Sequence, residues 1–209
     1  MLEPTVFIVD DDKASRASLK WLVESIGLKA KSFATTDGFL AAYDQDMPGC
    51  VVLDVRMPDM SGIQLQELLA RRGVEIPIVF VTGFADVSTA VRALKKGAID
   101  FIEKPYSNQQ ILDAIQESIR RDTRNREMAV ERAAVMSRVA QLTKRERQVL
   151  GMVIEGKSNK EIARELRLSP KTVENHRGKM MDKMQAKNLA SLFRMALPPS
   201  EHDERVSTK

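Results

Sequence analysis

Cys50-Val-Val-Leu-Asp54-Val-Arg56-Met-Pro58-Asp-Met-Ser-Gly62 is the stretch that decides how this 209-residue chain folds. Four apolar residues end on a carboxylate, and Leu65, Leu68 and Leu69 follow at helical spacing. The same order, an apolar run and then a helix, occurs on both sides of it. Thr5-Val-Phe-Ile-Val9 runs into Asp10, Asp11 and Asp12, and Leu19, Leu22, Val23 and Ile26 then repeat helically until Gly27 stops them. Ile78-Val-Phe-Val81 runs into Thr82. Val87, Ala90, Val91 and Leu94 follow at helical spacing, ended by Lys95-Lys96-Gly97. Leu28–Phe33 and Ile99–Lys104 mix apolar and polar residues, and a long helical pattern starts at Ser107.

Five strands alternating with five helices predict a parallel sheet covered on both faces. The three runs that are nearly all apolar suit strands buried on both sides, and the two mixed runs suit edges. That ranks the strands 2-1-3-4-5, the doubly wound α/β order of flavodoxin-like folds, whose ligand crevice lies at the carboxyl ends of the strands. This first domain is placed at residues 1–121. From Ser107 to Leu150 there is no glycine or proline, and 120–127 is almost entirely charged. Residues 122–140 therefore read as a linker that is helical and can continue the fifth helix, with a disordered linker as the alternative. An all-α domain of four helices is placed at 141–197, and 198–209 reads as a flexible polar tail.

Charge separates the two halves. Residues 1–120 hold 13 Lys and Arg against 17 Asp and Glu, a net of −4, and residues 121–209 hold 20 against 12, a net of +8. The basic half is a candidate for a polyanionic partner, against the plainer reading of a solvated surface. The single cysteine, Cys50, rules out an internal disulfide framework and suits a small buried apolar role in a reducing cytoplasm. No signal-peptide pattern opens the chain, and no apolar run approaches the ~18 residues of a membrane span, so no membrane partner is expected. Trp21 is expected to pack.

In the predicted sheet, Asp10, Asp11, Asp12, Asp54, Thr82 and Lys104 all emerge at one edge. Clustered carboxylates repel unless a cation neutralises them, and hard oxygen ligands with open positions suit Mg²⁺. A carboxylate beside such a metal can attack a phosphoryl group, with Thr82 and Lys104 available to the transferred oxygens. Asp12 is better read as the cap of the first helix than as a ligand. Asp10-Asp11, Asp54-x-x-Met57-Pro58-x-x-x-Gly62, Thr82-Gly83 and Lys104-Pro105 together resemble the receiver domains of response regulators over about the first 120 residues. The resemblance implies that Asp54 is the phosphoacceptor. It implies that Asp11, Asp54 and the backbone carbonyl of Arg56 ligate Mg²⁺, with Asp10 acting mainly through a bound water. It further implies that Lys104 meets the phosphoryl group across a cis Lys104-Pro105 bond, and that Thr82 and Phe101 form the switch.

In the basic half, Thr143-x-x-Glu146 and Ser158-x-x-Glu161 are capping-box signatures, and Ser169-Pro170 is an N-cap followed by a first-turn proline. Two short helices joined by a tight turn predict a helix-turn-helix whose second helix, Lys171 to about Met184, can enter the major groove. Val173, Met180 and Met184 share its core face, with His176 at the margin as a packed histidine. Lys171, Glu174, Asn175 and Gly178 lie opposite. Glu174 and Asn175 are the base-reading candidates, and Lys160, Lys171, Thr172, Arg177 and Lys179 the phosphate-contacting ones. The string from Leu142-Thr143-x-Arg145-Glu146 through Gly156–Ala163 to His176-Arg177 and Lys183 resembles the LuxR-type helix-turn-helix of FixJ/NarL-type regulators over roughly residues 140–196. That resemblance implies a further helix at about Lys187–Ala196 which supplies a dimer contact. Gly178 departs from the larger residue usual there, and its absent side chain suits close approach to the groove floor.

The two resemblances together imply a regulator that takes phosphate on Asp54 from a sensor histidine kinase, forms a homodimer and binds double-stranded DNA, with RNA polymerase as a further partner. Slow Mg²⁺-dependent self-dephosphorylation is expected rather than enzymatic turnover. A phosphatase with an aspartate nucleophile would need a second carboxylate two residues on, where this chain has Arg56. An RNA- or protein-binding output is disfavoured by the basic recognition helix.

Overall fold

The computed structural model describes residues 3–83 and 86–196, and the tail expected at 198–209 lies outside the described residues. Among them, five parallel strands form one sheet: β1 (Thr5–Val9), β2 (Lys29–Phe33), β3 (Gly49–Leu53), β4 (Ile78–Thr82) and β5 (Asp100–Glu103). Their order is β2-β1-β3-β4-β5, as the apolar and mixed runs predict. β1, β3 and β4 are buried along their length apart from Thr5, because side chains on both sheet faces must leave water.

Helices α1 (Lys13–Ser25), α2 (Thr36–Ala42), α3 (Gly62–Arg71), α4 (Val87–Lys95) and the start of α5 (Asn108–Ala140) connect and follow the strands. Two apolar clusters result. One gathers Phe7, Leu53, Leu65 and Phe80 with Phe39 of α2. The other gathers Ile8, Val23, Val79, Ile111 and Ile115. Each such fully buried side chain stabilises the fold by roughly 1.5–3 kcal/mol relative to exposure. Cys50 is fully buried and burial pushes its thiol far above the ordinary range, so it serves as a small apolar residue. Trp21 corrects the sequence reading. It is 71% exposed, because α1 turns Leu19, Leu22 and Val23 inward and leaves position 21 on the solvent side.

The chain divides into two compact units, Met1–Arg126 and Glu127–Lys209. The stretch read as a linker is helical throughout, being the second half of α5. Asp122, 4% exposed, accepts hydrogen bonds from the backbone N–H of Gly49 (2.9 Å) and from Arg126 Nε (2.8 Å), and Arg126 Nη2 donates to the Met47 carbonyl (2.8 Å). Gly49 has φ +143°, and a Cβ there would lie 1.9 Å from the Thr5 carbonyl oxygen, so only glycine lets this seam close. The first unit therefore reaches five residues past the boundary at 121 read from the charge run.

The second unit contains α6 (Lys144–Ile154), α7 (Asn159–Leu166), α8 (Pro170–Met184) and α9 (Leu189–Ala196), with Val135 and Val139 of α5 packed on its core of Val149, Ile162, Val173, Met180 and Leu192. The capping boxes at Thr143/Glu146 and Ser158/Glu161 are both formed, and Ser169 caps α8 with Pro170 at its first turn. Arg167 ends α7 in the left-handed conformation (φ 55°), which makes the tight turn into α8. No helix among the described residues is long and apolar enough to cross a membrane.

Candidate functional site

Register brings the acidic residues together. Val9 pairs with Leu53 across β1 and β3, and the Asp54 N–H donates to the Val9 carbonyl (2.8 Å), so Asp10 and Asp54 leave the sheet side by side. Thr82 pairs with Glu103, and the Lys104 N–H donates to the Thr82 carbonyl (2.8 Å), which aligns Lys104 with the same edge. Lys104 Nζ lies 2.7 Å from Asp10 Oδ2 and 3.4 Å from Asp54 Oδ1. The Lys104-Pro105 bond is cis.

The two carboxylates differ in their support. Asp10 Oδ1 accepts from the Asp12 N–H (2.8 Å), and Oδ2 accepts from the Ser15 hydroxyl (2.7 Å) as well as from Lys104. Burial raises its pKa, but the hydrogen bonds from Lys104, Ser15 and Asp12 together hold it below the ordinary value. Asp54 accepts from the Arg56 N–H (2.7 Å) and more distantly from Lys104. Burial pushes its pKa up, the neighbouring Asp10 charge adds to this, and Lys104 and the Arg56 N–H only partly oppose it. Lys104 is drawn down by burial yet ends above its ordinary value, because Asp10 and Asp54 both favour its charge.

A buried carboxylate held under-neutralised beside another carboxylate suits an added cation. Asp10, Asp54 and the Arg56 carbonyl offer the hard oxygen chemistry of Mg²⁺, which takes one or two carboxylates and keeps waters and phosphate oxygens in its remaining positions. Asp11 is exposed, and among the described residues no group of three or more His, Cys, Asp or Glu side chains could hold a metal by itself. Asp12 caps α1 by accepting from the Ser15 N–H (2.6 Å).

Thr82 is 1% exposed at the end of β4. Phe101 on β5 is half-buried with its ring 5.9 Å from that of Phe80. Gly62 permits the loop after Asp54 to fold back: its N–H donates to the Val55 carbonyl (3.0 Å), and a Cβ would sit 2.2 Å from the Asp54 carbonyl oxygen. Sequence reasoning missed two groups here. Ser15 supports Asp10 from the first turn of α1. Asp59 accepts from the N–H and hydroxyl of the buried Thr36 at 3.1 and 2.9 Å. A hydroxyl five residues after Asp10 was a usable signal for Ser15. The Asp59–Thr36 pair spans 23 residues and had none.

In the second unit, Val173, Met180 and Met184 are buried on α8, and Lys171, Glu174, Asn175, Gly178 and Lys179 are exposed. Lys160 of α7 is exposed too. The side chains of Asn175, Lys179 and Lys160 make no hydrogen bond or ion pair with other described residues, which leaves their polar groups available to a ligand. Lys171 pairs with Glu174 (2.9 Å) at the surface, where such a pair is weak and readily exchanged. Thr172 is half-buried and its N–H is capped by Ser169 (3.0 Å). Arg177 is half-buried and its Nη1 donates to Asn159 Oδ1 (2.7 Å), so it braces α8 against α7. His176 sits at the margin of the core, as its spacing predicts. Glu146, 3% exposed, accepts from the Thr143 N–H (2.8 Å) and from Lys183 Nζ (2.7 Å), joining α6 to α8.

A doubly wound domain with paired carboxylates and a lysine at its strand ends, followed by a helix-turn-helix, is the build of a response regulator. The chain matches the model of the response regulator receiver domain over residues 6–116 and that of bacterial regulatory proteins, luxR family, over residues 140–196. It belongs to the two-component response regulators that carry a LuxR-type DNA-binding domain. It is 43% identical over 201 residues to the transcriptional regulatory protein TdiR of Thauera aromatica, covering 95% of this chain and 87% of that protein. It is likewise 43% identical over 192 residues to the transcriptional regulatory protein FixJ of Azorhizobium caulinodans, covering 92% and 91%. Among solved structures, the response regulator StyR superposes with a TM-score of 0.81 at 41% identity over 93% of this chain and 98% of that one.

Proposed function

We propose that this chain is a cytoplasmic, phosphorylation-dependent transcription regulator in which a sensor histidine kinase transfers phosphate to Asp54. The observation that carries the reading is the bridge made by Lys104 to Asp10 and Asp54, three residues drawn from the ends of β5, β1 and β3. An Asp54 oxygen attacks phosphorus, the P–N bond to the donor histidine breaks, and the imidazole nitrogen keeps the electron pair and takes a proton. Mg²⁺, held by Asp11, Asp54 and the Arg56 carbonyl with Asp10 acting through a bound water, would neutralise charge on the carboxylate and the phosphoryl oxygens. Lys104 then exchanges its Asp54 contact for a phosphoryl oxygen, and the Thr82 hydroxyl donates to another. Slow hydrolysis of the acyl phosphate by water resets the site.

The readout runs through Thr82 and Phe101 to α4 and β5, where Phe101 turns inward as Thr82 moves. Val87, Val91 and Leu94 are exposed on α4 at 80, 44 and 45%, an apolar stripe suited to a second receiver in a homodimer. Dimerisation then presents two copies of α8 to a paired DNA site, with Glu174 and Asn175 reading bases and Lys160, Lys171, Thr172, Arg177 and Lys179 on or behind the phosphates. RNA polymerase is the partner at the promoter. Sedimentation of the full chain with Mg²⁺ and beryllofluoride tests this: a shift from monomer to dimer, absent in Asp54→Asn, is expected. Full occupancy of Asp54 with no change in either mass or operator affinity would sink the reading.

A further inference from the structure

At the amino-terminal ends of β4 and β5, the sheet edge opposite Asp54, a cavity of about 450 Å³ opens between the ends of α3 and α4 and the α5 segment around Arg121 and Asn125. Its size falls in the range of small-molecule sites. Leu69, Pro77 and Ile99 supply apolar wall. Gln66 forms part of the wall and is 4% exposed. Its Nε2 donates to the Ala93 and Lys96 carbonyls at 3.1 and 3.4 Å, while its Oε1 is buried with no partner among the described residues. This wall is therefore not a fully satisfied seam of the core.

The α5 segment behaves as two adjacent faces of one helical turn. Asp122 and Arg126 are tied to Gly49 and Met47, as described above. Arg121 and Asn125, also four residues apart, line the cavity, and their side chains make no hydrogen bond or ion pair with other described residues. Lys96, on the same rim, is already paired with Glu67. Arg121 is thus the cation with free donor capacity beside an apolar wall. Glu75 lies on the rim too, and its charge disfavours a dianion such as phosphate.

We infer that this cavity is a binding site for a small organic monoanion with a flat apolar body, its carboxylate held by Arg121 and Asn125 and its ring laid against Leu69, Pro77 and Ile99. A guanidinium meets a carboxylate through two parallel N–H donors, a geometry a lysine does not supply. Such a ligand would touch the last turn of α4 and the segment of α5 that precedes the second unit.

The test is a titration of the ¹⁵N-labelled full chain with benzoate, followed by amide and side-chain NMR. Saturable shifts at Gly73, Gly97 and the Asn125 side-chain amide are expected, with a Kd on the order of 1 mM for so small a ligand. Arg121→Ala, a change at an exposed position, should weaken binding about tenfold, and Arg121→Lys should restore it only in part. Benzylamine, of similar shape and opposite charge, should produce no shifts at these residues. Absence of saturation by benzoate, shifts gathered elsewhere, equal binding of benzylamine, or binding unchanged in Arg121→Ala would each overturn the proposal.

Discussion

Two lysine–carboxylate pairs, Lys104 with Asp54 and Lys183 with Glu146, show how one pairing serves opposite ends in the two units. Glu146 sits in a formed capping box with Lys183 2.7 Å away, and the Lys183 and Thr143 hydrogen bonds hold its carboxyl down at about 2. Asp54 keeps its lysine at 3.4 Å, shares it with Asp10, and is pushed up by burial. A carboxylate that takes both a lysine and a backbone N–H on one oxygen locks helices together. One left short of positive charge is ready for a cation and a phosphoryl group, and it costs stability while it waits.

The largest effect should come from Asp54→Asn. Phosphate incorporation from acetyl phosphate should fall to background, while the urea midpoint of the first unit holds or rises, because the raised pKa means that the charged form opposes folding at neutral pH. A large loss of stability in this variant would erase the contrast.

Glu146→Gln should do the reverse, costing about 2 kcal/mol by loss of the charged acceptor beside Lys183 and the Thr143 N–H. Urea unfolding should show the transition of the second unit moved and Asp54 labelling untouched. The acid limit sharpens this. A carboxyl with its folded pKa lowered from 4.5 to about 2 contributes stability above pH ~4.5 and loses it as pH falls through about 2. Calorimetry should therefore find the advantage of the wild type over Glu146→Gln intact at pH 6 and nearly gone at pH 2.

The division between tied and untied groups continues along α8. Gly178 is exposed, and a methyl group placed there would meet only open space, so Gly178→Ala should stabilise the second unit by about 1 kcal/mol in thermal melts. If the missing side chain serves groove approach, the same variant binds its operator more weakly despite its greater stability. The smallest change is expected from Lys171→Ala, which breaks only an exposed pair with Glu174. Thermal stability should be unaltered, while the slope of log affinity against log salt in DNA binding falls by about 1.

Much of both units was legible locally. The alternation of apolar runs with helical spacing gives the five strands and their edges, and the turns at Gly27 and Gly156 appear where glycine stops each pattern, at φ +81° in both. The two capping boxes and Ser169-Pro170 place the starts of α6, α7 and α8. These signals work because caps and periodicity act within four residues. Trp21 was misread for the complementary reason: a large aromatic is expected inside, but the phase of α1 is set by Leu19, Leu22 and Val23. Asp122 and Arg126 looked like two members of a charged linker, yet their partners lie 73 and 79 residues away.

By itself the sequence determined the element types, the strand order and the presence of carboxylates at strand ends, since each follows from hydrophobic pattern and chain chirality. Tertiary structure alone decided which charges are neutralised and by how much. It gave Lys104 to Asp10 more closely than to Asp54, gave Lys183 to Glu146, turned Arg177 toward Asn159 and left Arg121 without a partner among the described residues. The physical reason is range: a pairing energy depends on distance and burial across elements that no local pattern reports.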